Sequence, residues 1–248
     1  MHAEEITFYH AVIIAFLIFG VVCGFFIVSM FRQHKRNIAL YKAKVAAEIT
    51  TLETERKRIA NDLHDDLGPL LSAVKFNIGA IDAPNTDAQL ISQTEHSLDE
   101  VVQKLRQISN DLMPATLLRK GVTYAIEEFI EKLGDATELK ITLSYPQMPP
   151  LGDLLNINLY RILLEIIHNA LKHSKAGILD IIIQIAEKEL IIETKDNGCG
   201  FNIPSSVQGN TGRGLANILN RTELLNGDLF IESAPGKGTS YLITIPYQ

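Results

Sequence analysis

The chain has 248 residues, a formal net charge of −6, 46% hydrophobic and 21% charged residues. That length allows one or two domains beside any targeting segment, and the composition excludes a disordered or collagen-like chain. Two cysteines, Cys23 in an apolar run and Cys199 between glycines, exclude a disulfide framework and, with no C-x-x-C pair, argue against a zinc site.

The apolar residues are not spread evenly. From Ile6 to Phe31 no residue is formally charged, and Val12 to Phe31 alone supplies the roughly 20 apolar residues that a bilayer-crossing helix needs. A signal peptide would begin basic and have a shorter core, whereas Glu4 and Glu5 open this one. A transmembrane helix is therefore expected over 7–31, with the lipid bilayer as its partner. Arg32, Lys35, Arg36, Lys42 and Lys44 follow and put the carboxyl-terminal side in the cytoplasm, which predicts a single-pass protein of the cytoplasmic membrane. The segment ahead of the helix is too short for an outside sensor domain. All 23 basic groups and 27 of the 29 acidic ones lie in 32–248, a balance that gives no reason to expect direct contact with nucleic acid.

Residues 32–52 read as a helical linker. The helix runs on to about Ile81, with Leu52, Ile59, Leu63, Leu67, Leu70, Val74, Ile78 and Ile81 on one face. Ala83-Pro84-Asn85-Thr86 breaks it, and a second helix carries Ile91, Leu98, Val101, Leu105, Ile108 and Leu112 up to Pro114. A hairpin over 53–114 leaves its stripe half covered, so self-association of two copies into a four-helix bundle, a homodimer, is its natural completion.

Residues 115–248 change to mixed α and β. Helices are expected over 123–133, 154–173 and 215–225, and strands over 139–145, 178–186, 190–194, 229–233 and 240–245. The fold class is thus α plus α/β: a transmembrane helix, a helical hairpin, and an α/β sandwich of a mixed sheet and helices.

On the helix over 154–173, Arg161, Glu165, Asn169 and His173 recur every four residues and share a face opposite the apolar one. An Asn among charged groups suits a ligand, because its amide oxygen can coordinate a hard cation such as Mg²⁺. By itself the stripe reads more readily as a plain exposed face. Asp196-Asn197-Gly198-Cys199-Gly200 follows a strand, Gly212-Arg213-Gly214-Leu215 opens a helix, whose amino end is an anion site, and Gly236-Lys237-Gly238-Thr239 precedes the last strand. Each glycine pair alone could be a turn. Their order behind the polar helix is the specific signal.

From Leu151 to Gln248 the chain resembles the ATP-binding domain shared by histidine kinases, DNA gyrase, Hsp90-type chaperones and MutL-type repair proteins. The resemblance implies Asn169 as the ligand of Mg²⁺ and Asp196 as acceptor from the adenine amino group of ATP. It places Lys172, His173, Gly214 and Leu215 near the phosphates, with Gly198, Gly200, Gly212, Gly238 and Thr239 in the glycine boxes and 200–214 as a mobile lid. Upstream, Glu55-Arg56-Lys57-Arg58-Ile59-Ala60-Asn61-Asp62-Leu63-His64-Asp65-Asp66-Leu67-Gly68 resembles the phosphoacceptor helix of the nitrate-sensor and desaturase-sensor branch of bacterial histidine kinases. That implies His64 as the phosphorylated residue, a response-regulator receiver as partner, and a DNA-binding regulator downstream.

His64 sits about 100° round the helix from the stripe residue Leu63. Ala60 and Gly68, four residues either side, are small and predict open space beside the imidazole. A neutral imidazole attacks with one nitrogen while the other holds the proton, which Asp65 could accept as a hydrogen bond. Glu165 is a third catalytic candidate, to orient the transfer. Related kinases carry Gln five residues after the histidine, where it helps position water for dephosphorylation. This chain has Pro69, which predicts a bend below His64 and weak phosphatase activity. Two other readings stay open: an ATPase or serine protein kinase built on the same nucleotide domain, and a catalytically silent nucleotide-binding scaffold.

Overall fold

The structure, a computed structural model, describes residues 2–81, 85–203 and 212–247, with side chains at those positions other than 2–15, 85–88 and 135. It divides into two compact units, Met1–Glu48 and Ile49–Gln248.

The first unit is the amino-terminal part of helix α1 (His2–Asp62). Phe16, Leu17, Phe19, Phe25, Phe26 and Phe31 are each more than half exposed, so the apolar surface runs round the helix and the described residues leave it uncovered. The segment is long and apolar enough to cross a membrane.

In the second unit α1 ends at Asp62 and widens into a π-helical turn, Leu63–Leu67, before α2 (Gly68–Gly79) begins. Pro69 accounts for this. It has no N–H to donate to the Asp65 carbonyl, so regular α-helical bonding cannot pass through it and the preceding turn opens. The expected bend thus takes the form of a widened turn around His64. Helix α3 (Asn85–Leu112) packs back against α2 and the π turn, and Lys75 donates to Asp99 at 2.7 Å across the hairpin. The connecting residues 82–84, in the expected break, lie outside the described residues. Leu67, Leu70, Val74 and Ile81, with Leu90, Val101 and Ile108 on α3, stay substantially exposed on the single chain. Ala60 departs from expectation: it is buried, and its carbonyl accepts from the Ser109 hydroxyl at 3.0 Å. Its small side chain serves packing against α3, and only Gly68 has open space round it.

A short helix absent from the sequence reading, α4 (Ala115–Lys120), follows Pro114; six residues are too few to show a period. Gly121, at φ 92°, turns the chain into α5 (Val122–Leu133). The described residues then form one five-stranded sheet in the order β1-β2-β3-β5-β4, with β1 (Lys140–Ser144) parallel to β2 (Ile178–Ala186). The pairs β2 with β3 (Glu189–Asp196), β3 with β5 (Thr239–Pro246) and β5 with β4 (Asp228–Ser233) are antiparallel. Alternate residues Leu179, Ile181, Ile183, Leu190, Ile192, Ile243 and Ile245 are buried with Ile162, Leu163, Ile166 and Ile167 of α6 (Asp153–Asn169) and Ile218 of α7 (Arg213–Leu224). Each such aliphatic side chain contributes about 1.5–3 kcal/mol of transfer free energy. The opposite face, carrying Ile182, Phe230 and Leu242, is open. The expected mixed-sheet sandwich is therefore present, with one difference at the site: α6 stops at Asn169 and continues as a second π turn, Ala170–Ser174.

Candidate functional site

A cavity of about 350 Å³ opens where the end of α6, the second π turn, the end of β3, the start of α7 and the start of β5 meet. Asn169, His173, Asp196, Gly200, Gly212, Gly214, Leu215 and Thr239 line it, so the structure brings together most of the residues singled out from sequence. Its size suits a small-molecule ligand.

The glycines are there because backbones approach closely. A Cβ on Gly214 would lie 2.4 Å from the Glu165 carboxylate and 3.3 Å from the Asn169 amide oxygen, so the start of α7 rests on those two side chains. On Gly198 it would meet the Ser174 carbonyl at 2.4 Å, and on Gly238, at φ 74°, the Asp196 carbonyl at 2.0 Å. Gly198 and Gly238 therefore shape the walls without lining the cavity. Glu165 stands behind Gly214, and Lys172 is exposed and outside the lining.

Asp196 is buried at the cavity, and its Oδ1 accepts from the Gly198 N–H at 2.8 Å. That bond fixes the carboxylate while leaving acceptor capacity for a ligand donor. Asn197 holds the loop from the other side, its Oδ1 accepting from the N–H groups of Gly177 at 2.9 Å and Ile178 at 3.0 Å. The Thr239 hydroxyl lies 3.1 Å from Ser233 Oγ. Sequence reasoning missed Tyr241, which also lines the cavity. Burial, with Asp196 and Glu165 nearby, pushes its hydroxyl up to about 12, so it stays a neutral donor. The signal for it was its position two residues after Thr239, on the same face of β5. The start of α7 adds free N–H groups and the positive end of a helix, which favour phosphate. Much of the expected lid, 204–211, lies outside the described residues.

The donor set fits Mg²⁺ shared with phosphate. A hard amide oxygen, Asn169, stands beside a carboxylate, Glu165, and no cluster of three or more His, Cys, Asp or Glu forms among the described residues. Mg²⁺ commonly takes only one or two protein oxygens and completes its shell with phosphates and water.

Arg161 does not join the site. It is part-buried against Glu53 of α1, which also receives Arg221 of α7. His168 packs edge-on against Phe129, ring centroids 5.7 Å apart, which supports packing as its role. Burial, with help from Lys172, lowers its pKa against the pull of Glu165. His64 and Asp65 are exposed on the first π turn, with no hydrogen bond between them in this structure.

This combination of an Asn-bearing helix, an acidic strand end and a glycine-opened helix round one cavity is that of the gyrase- and kinase-type ATP-binding sandwich. The family model described as "Histidine kinase-, DNA gyrase B-, and HSP90-like ATPase" matches residues 155–248, and one described as "Histidine kinase" matches residues 55–117, the stretch bearing His64. The chain is 27% identical over 222 residues to the oxygen sensor histidine kinase NreB of Staphylococcus carnosus, covering 86% of this chain and 63% of that one. It is 29% identical over 206 residues to the sensor histidine kinase LiaS of Bacillus subtilis, covering 79% and 55%. The chain thus spans less than two thirds of the length of either relative. Among solved structures, the Acinetobacter baumannii histidine kinase AdeS superposes loosely, with a TM-score of 0.45 at 19% identity over 76% of this chain and 98% of that one. The chain thus carries a histidine-kinase phosphoacceptor region followed by a histidine kinase-type ATPase domain, and the relatives it matches are sensor histidine kinases.

Proposed function

We propose that the chain is a membrane-anchored sensor histidine kinase that phosphorylates His64 from Mg-ATP and passes the phosphoryl group to an aspartate of a separate response regulator, a DNA-binding one. The observation that carries the reading is the convergence of Asn169, Asp196 and the Gly212–Leu215 helix start on one cavity, in a chain that also presents His64 and Asp65 to solvent. Residues 7–31 act as anchor in the cytoplasmic membrane, 32–52 as signalling linker, 53–114 as dimerisation and phosphotransfer hairpin, and 115–248 as catalytic domain in the cytoplasm. The uncovered stripe at Leu67, Leu70, Val74 and Ile108 supports a homodimeric four-helix bundle.

In this mechanism Asp196 receives the adenine amino group, and Asn169 offers its amide oxygen to Mg²⁺, which neutralises phosphate charge. The Gly214 and Leu215 amides, with His173 and Lys172, hold the phosphates, and Glu165 orients the transfer. Asp65 accepts one imidazole N–H, so the other nitrogen carries its lone pair. That lone pair attacks the γ-phosphorus, the bond to the β–γ bridging oxygen breaks, and ADP leaves with that electron pair. Catalysis is positioning and charge neutralisation in the main.

Incubating the full chain in vesicles with radiolabelled ATP, beside His64→Ala, tests this. Acid-labile, alkali-stable label in the wild type and none in the variant is expected. Label that is alkali-labile or survives the substitution points to a serine kinase or ATPase, and no label despite ATP binding points to a scaffold.

A further inference from the structure

On its three central strands the inner face of the sheet is aliphatic except at four positions. Leu179, Ile181 and Ile183 of β2, Leu190 and Ile192 of β3, and Ile243 and Ile245 of β5 are buried there. The four exceptions form a square. In the ladder between β3 and β5, Asp196 stands opposite Thr239 and Thr194 opposite Tyr241, while the next pair on this face is Ile192 with Ile243. All four polar residues are buried, with exposures of 6% for Asp196, 7% for Thr239, 2% for Thr194 and 5% for Tyr241. Burying a hydroxyl costs free energy unless it finds a partner, so Val and Phe would serve the fold better at the last two positions.

Asp196 and Thr239 belong to the ATP site inferred above, in which Thr194 and Tyr241 have no role. Asp196, Thr239 and Tyr241 line the cavity, and Thr194 is their neighbour outside the lining. Among the described residues Thr194 Oγ1 is the one buried side-chain nitrogen or oxygen with no hydrogen-bond partner. Burial, and then the Asp196 and Glu165 carboxylates, raise the pKa of the Tyr241 phenol, so it keeps its O–H as a donor. Diagonal neighbours on one sheet face lie about 7–8 Å apart, within reach of long side chains. Tyr241 and Asp196 can therefore address adjacent atoms of one flat ligand. The phenol is a donor and the carboxylate an acceptor. Adenine carries the complement, a 6-amino donor next to the ring acceptor N1. Guanine carries the reverse, with O6 as acceptor next to an N1–H donor.

We propose that Tyr241 is a further base-recognition residue whose O–H donates to adenine N1, beside the 6-amino group that donates to Asp196, and that Thr194 holds a water enclosed with the base. This rests on the ATP-binding part of the reading above. The choice of adenine over guanine then belongs to an acceptor and a donor acting together rather than to Asp196 alone. The Thr194 hydroxyl gains its partner in the nucleotide-bound protein.

The test is isothermal titration of the full chain in phospholipid vesicles with Mg²⁺ and four nucleotides. ATP is compared with 1-deaza-ATP, which lacks the N1 acceptor, with 7-deaza-ATP, and with GTP. The wild type should bind 1-deaza-ATP about tenfold more weakly than ATP, and 7-deaza-ATP within about twofold of it. Tyr241→Phe keeps the ring and should bind ATP about tenfold more weakly, with no further loss for 1-deaza-ATP and about tenfold less preference over GTP. Thr194→Val should melt no lower than the wild type without nucleotide, yet bind ATP about threefold more weakly. Each protein is compared with itself across nucleotides, so a general loosening of the fold cannot imitate this result. Equal losses of ATP and 1-deaza-ATP in Tyr241→Phe would make the phenol a packing group and overturn the proposal, as would a wild-type penalty at 7-deaza-ATP instead. Unchanged ATP affinity in Thr194→Val overturns the part given to Thr194. ATP binding indifferent to both substitutions overturns base recognition and leaves the nucleotide site standing, whereas no ATP binding by the wild type overturns both.

Discussion

The helix carrying His64 and the helix carrying Asn169 each widen into a five-residue π turn, at Leu63–Leu67 and Ala170–Ser174, but the two are held differently. The first follows from covalent structure: Pro69 lacks the N–H that would close the preceding turn. Four of its five residues are exposed, and a Cβ on Gly68 would meet nothing within 4 Å. No proline causes the second. Ser174 Oγ donates to the Ala170 carbonyl at 2.7 Å, the Cys199 N–H donates to the Ser174 carbonyl at 2.7 Å, and Lys175 follows in a left-handed conformation. The same backbone device presents a side chain to solvent in one place and builds a cavity wall in the other. An edit at the first turn should stay local, whereas an edit at the second should reach the ligand.

The strongest break of that contrast is Gly198→Ala. The added Cβ would stand 2.4 Å from the Ser174 carbonyl and 2.8 Å from Asp196 Oδ1, and a backbone carbonyl cannot swing aside as a side-chain end can. ATP affinity is expected to fall at least about tenfold, and the melting temperature by about 4 °C or more, in a fluorescent-nucleotide titration and a thermal melt. Wild-type affinity in this variant would mean the second turn is as editable as the first.

Pro69→Ala restores the missing N–H at the first turn. The turn should then tighten toward α-helical bonding, shifting His64 round the helix relative to α2. His64 labelling is expected to slow about tenfold while ATP affinity stays within about twofold. Loss of ATP binding instead would show that the two turns are coupled. At the same position, the lack of Gln predicts weak dephosphorylation of a phosphorylated regulator, and rapid turnover by the purified chain would contradict it.

Much of this was legible because it is local. The glycine pairs, the strand ends beside them and the proline each act within a few residues of where they stand. Arg161 was misplaced because a four-residue step overshoots a helical turn by about 40°. Two steps before Asn169, it has swung about 80° round α6, far enough to meet α1. Its partner Glu53 is 108 residues away, and Arg221 is 168 residues from Glu53, separations over which no spacing rule speaks. Ala60 was misread for a related reason: smallness signals a close neighbour as readily as empty space, and only Ser109 across the hairpin decides which.

The smallest expected effect concerns His168, the residue before Asn169, whose ring packs against Phe129 while His64 stands in solvent. Burial, then Lys172, lowers the His168 pKa from its ordinary 6.5, and Glu165 only partly offsets this. The unfolded chain therefore takes up a proton at a higher pH than the folded one. Stability is whole above about pH 6.5 and is lost as pH falls below it toward the depressed folded value. His168→Phe keeps the ring contact and removes the proton. Melting both proteins at pH 7.5 and pH 5.5 in the same salt cancels every other histidine in the difference. The wild type should lose more on acidification, by only about 1 °C because the ring is half buried and solvent screens it. Parallel losses would mean that His168 takes its proton equally in both states, and that burial beside the second turn is shallower than the contact with Phe129 implies.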